Sequence, residues 1–205
     1  MKALIIVDVQ NDFLPGGSLA VPKGNEVVPV INSLIPAFDQ VIATQDFHPA
    51  GHGSFASSHT GHKPGEVIDL NGLDQILWPD HCVQGTPGTD FSKDLQLPER
   101  TKIFQKGTDS GIDSYSGFFD NGHRKSTGLA DYLRGQGINE LFITGLAADY
   151  CVKFTVLDAL KEGFDTTLIT DATRGVNLSA DDTQKALQEM KNAGAKLRSS
   201  AALNS

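Results

Sequence analysis

The sequence is poor in cysteine, in tryptophan and in positive charge, and it contains no long apolar run. Its two cysteines, Cys82 and Cys151, are too few for a disulfide framework, and a chain of 205 residues buries enough core not to need one. The expectation is a reducing, cytoplasmic setting. Seventeen Lys and Arg stand against 25 Asp and Glu, a formal net charge of −8. That balance lacks the basic surface that phosphate backbones demand and excludes nucleic acid as a partner. No segment approaches the roughly 20 apolar residues of a spanning helix, so no membrane partner is expected. The opening apolar run stops at Asp8 with no small-residue cleavage site behind it, and it reads as a buried strand rather than a leader.

What is present is an alternation of strand and helix patterns. Residues 3–9 (ALIIVDV) are a short, β-branched, nearly continuous apolar run; 40–45 (QVIATQ), 102–106 (KIFQK), 140–146 (ELFITGL) and 165–170 (DTTLIT) read as further strands, and 195–198 is a candidate short last strand. Helical spacing marks 26–38, 129–134, 150–162 and 181–193. The last two stop at Gly163 and Gly194. This order predicts a three-layer α/β/α fold with a mostly parallel central sheet. No repeat, low-complexity tract or interdomain linker interrupts it, so a single domain over 1–205 is expected. The exception is the connection at about 46–100, rich in Gly, Pro, Ser and His and without clear periodicity. A connection this long inside a compact domain is usually functional.

In open parallel sheets ligands bind beyond the carboxyl ends of the strands. Those ends carry Asp8, then Asp46 followed by His48, then Lys106, then a turn into a helix at Cys151. A free cysteine is commonly just a small buried hydrophobe. At a helix start, however, unpaired N–H groups and the helix dipole favour a thiolate below the ordinary pKa of about 8.5, and the same N–H groups can hold an oxyanion. Asp8 sits in an apolar run, where an unpaired carboxylate is costly, so it needs a partner. Lys106, at the end of the third strand, is commonly just a solvated lysine in such a place, but in this fold it would face Asp8 and Cys151 and supply that partner. Asp46 and His48, two apart in an extended chain, point the same way and can share one metal ion with His81. The competing reading is a histidine-rich surface loop, since His52, His59 and His62 lie close by.

Nearly the whole chain, from Ala3 to about Arg198, resembles the nicotinamidase family of the isochorismatase-like, Rossmann-like superfamily. The resemblance rests on IIVDVQNDF at 5–13, PGGSLA at 15–20, TQDFHP at 44–49 and WPDHCVQGTPG at 78–88. It continues through Lys106-Gly107, SYSGF at 114–118, GLAADYCV at 145–152 and Asp171-Ala172. D-x-H followed by W-P-x-H-C narrows it from the superfamily to nicotinamidases. The resemblance implies a catalytic triad of Asp8, Lys106 and Cys151. It implies a cis Leu146–Ala147 peptide, with the N–H groups of Ala147 and Cys151 at the oxyanion. Phe13, Leu19, Trp78 and Tyr115 would line the substrate site. Asp46, His48 and His81 would bind one divalent metal, with zinc expected first and iron(II) or manganese(II) as alternatives.

A further histidine that some members carry is replaced here by Ser54, expected to reach the metal through water, with His52 outside the ligand set. The activity implied is hydrolysis of nicotinamide to nicotinate and ammonia through a cysteine thioester, in NAD salvage, with pyrazinamide as a second substrate. The alternatives are another isochorismatase-like hydrolase or a non-catalytic binding protein on this fold. The partner is a small molecule. A homo-oligomer is compatible with all of this.

Overall fold

The structure is a computed structural model that describes residues 1–203. Its strands are β1 (Lys2–Val7), β2 (Gln40–Asp46), β3 (Val67–Leu70), β4 (Leu73–Ile76), β5 (Lys102–Lys106), β6 (Glu140–Leu146), β7 (Asp165–Arg174) and β8 (Lys196–Arg198). Its α-helices are α1 (Val27–Leu34), α2 (Leu129–Gly135), α3 (Cys151–Lys161) and α4 (Asp182–Asn192). Six strands form one sheet in the order β5-β2-β1-β6-β7-β8, and every pairing in it is parallel. β1 shows why its sequence is apolar throughout. Ala3, Ile5 and Val7 enter one core, Leu4 and Ile6 the other, and all five are fully buried. Helices α2, α3 and α4 cover the first face through Leu129, Leu133, Val152, Val156, Ala186 and Met190. Helix α1 covers the second through Val27, Val28, Ile31 and Leu34. The strand order reverses beside β1, and the crevice between the carboxyl ends of β1 and β6 is where such sheets bind ligands.

The expected elements are present, with informative differences at their ends. The first strand stops at Val7 instead of Val9, because Asp8 takes a left-handed conformation (φ 48°) and turns the chain away. The helix expected over 26–38 is α1 with short 3-10 turns at Gly24–Glu26 and Ile35–Ala37, since Pro36 cannot continue an α-helical ladder. β7 runs four residues past Thr170, re-registered against β6 so that Leu146 pairs with Arg174. The 46–100 connection is not wholly irregular: β3 and β4 pair as an antiparallel hairpin. Its turn is Asn71-Gly72, both at positive φ, a two-residue hairpin signature that lay in the sequence without being read.

Candidate active site and metal centre

Three strand ends and one helix start deliver a charged cluster to the crevice. Lys106 closes β5, is 2% exposed, and points its ammonium inward. Its Nζ lies 2.8 Å from Asp8 Oδ2 and donates to Asp46 Oδ1 (2.8 Å), Ser114 O (2.8 Å) and Cys151 Sγ (3.4 Å). The second oxygen of Asp8 accepts from Thr44 Oγ1 at 2.6 Å. Carboxylate oxygens of Asp8 and Asp46 and the Cys151 sulfur lie within 4.8 Å of one another. The Leu146–Ala147 peptide before the helix is cis.

The electrostatics of this cluster differ from the sequence expectation at one point. Cys151 does stand first in α3, but its thiol pKa is pushed well up, not down. Burial is the main cause. Lys106 opposes it, while Asp8, Asp46 and Asp113 add to it. One ammonium does not offset a dry site facing three carboxylates. The resting group is therefore a thiol that needs a base. Asp8 fits that need: burial raises its pKa, Lys106 lowers it and Asp46 raises it, leaving it above the usual carboxylate range. For Lys106, burial works against the charge, but Asp46, Asp8 and Cys151 hold the ammonium well above its ordinary value. For Asp46, burial raises the pKa, but Lys106 and His48 hold the carboxyl well below its ordinary value.

Asp46 also belongs to a second cluster. His48 Nε2 lies 3.4 Å and His81 Nε2 3.6 Å from Asp46 Oδ2. The ring tautomers follow from the other nitrogens. His48 Nδ1 is 2.9 Å from Gly107 O, and His81 Nδ1 is 2.8 Å from Pro79 O. Carbonyls only accept, so each Nδ1 carries a hydrogen, and in the neutral rings each Nε2 presents a lone pair. Buried His48 Nε2 has no hydrogen-bond partner. Two imidazole nitrogens and a carboxylate aimed at one another form a group that could hold a metal ion. Backbone carbonyls behind ligating histidines are the usual outer support of a metal site. The donor set thus fits a divalent metal with positions left open for other ligands. Gly107 makes room for it: at φ 64°, a Cβ there would strike the His48 ring.

His52 is buried, but both its nitrogens are engaged, Nδ1 with Ser54 Oγ (2.8 Å) and Nε2 with Asp109 O (2.8 Å). Ser54 is thus seen holding His52. Of the other histidines, His59 bonds Gly53 O and His62 the Glu66 carboxylate, away from the cluster.

The two clusters share a pocket. Phe13, Leu19, Trp78 and Tyr115 line it with Cys151, Ala147, Asp46 and His81. Phe13 also packs on the His81 ring (centroids 5.5 Å apart), and Trp78 Nε1 donates to Tyr115 Oη at 3.1 Å. Sequence reasoning missed three lining residues, Asp113, Tyr150 and Val176. Asp113 is buried, with Oδ1 4.0 Å from His48 Nε2, and it accepts from Ser114 N–H and Gln75 Nε2. An acidic residue seven places after Lys106, inside the segment leading to SYSGF, was the available signal. For Tyr150 the signal was its place beside Cys151 in GLAADYCV, and Val176 carried none.

Comparison with known proteins agrees with this geometry. The isochorismatase domain family matches residues 2–202. The nicotinamidase of Escherichia coli K12 is 50% identical over 200 residues, covering 96% of this chain and 93% of the relative. The solved nicotinamidase/pyrazinamidase of Acinetobacter baumanii superposes with a TM-score of 0.95 at 44% identity, covering 98% of this chain and 97% of its own. The pyrazinamidase of Pyrococcus horikoshii, solved in complex with zinc, gives 0.80 at 40% identity, covering 97% and 98%. This chain belongs to the isochorismatase domain family, within its nicotinamidase group.

Proposed function

We propose that the protein is a nicotinamidase, a cysteine amidohydrolase that converts nicotinamide to nicotinate and ammonia and accepts pyrazinamide as an analogue. The observation that carries this reading is the position of Asp46. One oxygen accepts from the Lys106 ammonium that also touches Cys151 and Asp8, and the other faces the two histidine lone pairs. A thiol hydrolase centre and a cation site thus meet in one pocket.

Asp8, Lys106 and Cys151 are the proposed catalytic residues. Asp8, with its raised pKa, takes the proton of the Cys151 thiol, and Lys106 supports the charge on both. The thiolate attacks the carboxamide carbon, and the N–H groups of Ala147 and Cys151 receive the oxyanion. Asp8 returns its proton to the amide nitrogen and ammonia leaves. Water then hydrolyses the Cys151 thioester, again with Asp8 as base. Phe13, Leu19, Trp78 and Tyr115 hold the pyridine ring. Asp46, His48 and His81 would hold a divalent cation, zinc in the first instance with iron(II) or manganese(II) as alternatives, and it would supply a Lewis-acid site for the lone pair of the pyridine nitrogen and for water. Ser54 would reach the metal through water.

The chain acts as a single domain over 1–205, with the metal-bearing insertion at about 46–100. Its place is the cytoplasm, in NAD salvage, on a small molecule and without nucleic acid or membrane. No helix of the described residues is long and apolar enough to cross a membrane. The test is ammonia release from nicotinamide by metal-loaded protein. Release from another small amide but none from nicotinamide would replace this reading with that of a different hydrolase of the family.

A further inference from the structure

The motif at 5–13 contains three polar residues that the proposed chemistry does not use, Gln10, Asn11 and Asp12, and two of them, Gln10 and Asp12, reach the metal-site backbone from the chain that follows β1. Gln10 is fully buried. Its Oε1 accepts the backbone N–H of Asp46 (2.8 Å), and its Nε2 donates to Asp46 O (2.8 Å) and Thr89 O (2.9 Å). The reason is visible in the sheet register. β1 and β2 pair as far as Val7 with Thr44, whereas β2 and β5 stay paired through Asp46 with Lys106. Asp8 turns the chain away, and Asp8 O is taken by the N–H of Gln10 itself. The Asp46 backbone would then lack a ladder partner on the side that β1 has left. The Gln10 carboxamide, with the same donor and acceptor as a peptide group, stands in for the missing strand.

Asp12 does a related thing from the same turn. Its Oδ2 accepts the N–H of Cys82 at 2.7 Å. Cys82 follows His81, and Cys82 O accepts the N–H of His48 at 2.9 Å. One residue therefore ties both histidines, and Asp12 fixes that residue. Gly88 leaves the carboxylate its space, since a Cβ there would overlap it.

We propose that Gln10 and Asp12 are positioning residues that hold Asp46, His48 and His81 at metal-binding spacing, Gln10 as a surrogate strand and Asp12 through the Cys82 peptide. This rests on the metal reading of the site given above. The two are placed to set metal affinity without touching metal or substrate.

The test measures zinc affinity of chelator-stripped protein by competition with a chromophoric chelator, beside far-UV circular dichroism and the melting temperature of the stripped protein. Outer-shell partners of metal sites typically change affinity about 10- to 100-fold. Gln10→Leu is expected near the upper end of that range and Asp12→Asn near the lower end. In both, kcat is expected to climb back toward wild type as free zinc is raised, with KM for nicotinamide elevated at low zinc. A purely structural role would lower the melting temperature, leave zinc affinity unchanged and show no rescue by zinc. Affinities within twofold of wild type in the folded variants would overturn the proposal. Should Gln10→Leu fail to fold, Asp12→Asn at wild-type affinity overturns it alone. Wild-type protein that takes up no zinc, iron(II) or manganese(II) would instead remove the metal reading, which separates the two failures.

Discussion

The rim of the parallel sheet and the connection between β2 and β5 supply the site by different physical means. Lys106 and Cys151 stand on a strand end and a helix start, and Asp8 directly follows a strand, so their backbones are set by ladders and helix bonds. His81 stands on irregular chain. Its place depends on single hydrogen bonds, such as His81 Nδ1 to Pro79 O and Cys82 N–H to Asp12. His48, just past β2, is fixed by Gly107 O and Cys82 O. The rim is expected to hold its geometry when the connection is disturbed, because the core beneath it is independent of the histidines. Asp46 is the one residue that belongs to both regions.

The comparison breaks hardest at the rim. Cys151→Ala is expected to lower turnover by about 10⁴-fold or more, as loss of a nucleophile does, with fold and zinc content unchanged. Kinetics with metal analysis checks this. Lys106→Met is expected to abolish turnover as well. It also leaves Asp8 and Asp46 buried without their cation, a loss of about 3–5 kcal/mol measurable by denaturant unfolding. On the other side, His81→Ala and His48→Ala are each expected to lose metal while the sheet stays folded. Elemental analysis and circular dichroism on the same sample separate the two. The smallest effect is expected at Cys82→Ala. Its thiol makes only a long contact to Gly88 O at 3.9 Å, and burial pushes its pKa far out of reach of thiolate chemistry. Turnover within a few-fold of wild type, with about 1 kcal/mol of stability lost to a small cavity, is the expected outcome.

The same division governs what was legible in the sequence. The bounds of β5 and β6 were legible to the residue: each is a short run with an apolar centre that a polar residue opens, and the alternation of strand and helix patterns places both in one parallel sheet. The strand-end rule then brought Asp8, Asp46, Lys106 and Cys151 to one crevice without knowledge of any contact. His81 was offered as a third ligand from the long connection, beside the reading of a histidine-rich loop, and the motif resemblance decided between them; the ring-lining residues Phe13, Leu19, Trp78 and Tyr115 came from the resemblance alone. The β3–β4 hairpin was overlooked because its strands alternate weakly, with Val67 exposed and Gln75 buried. Gln10 was missed for a related reason: it acts through hydrogen bonds to Asp46 and Thr89, distant in sequence, and no local pattern encodes these. The direction of the Cys151 shift was misjudged because helix position is readable in a sequence, whereas burial against three carboxylates is not.

The account turns on both clusters acting on one substrate. Nicotinamide and benzamide have nearly the same size and shape, so packing against Phe13 and Trp78 cannot tell them apart. They differ in one ring lone pair. A site built to satisfy that lone pair rejects the analogue without it far more strongly than an apolar pocket rejects a missing methylene. The direct measurement is kcat/KM for both amides in metal-loaded and in metal-stripped protein. The expected result is a preference for nicotinamide of about 10²-fold or more in the loaded protein, collapsing when the metal is removed, with both amides then reacting poorly and similarly. Equal kcat/KM for the two amides in the loaded protein would contradict the account.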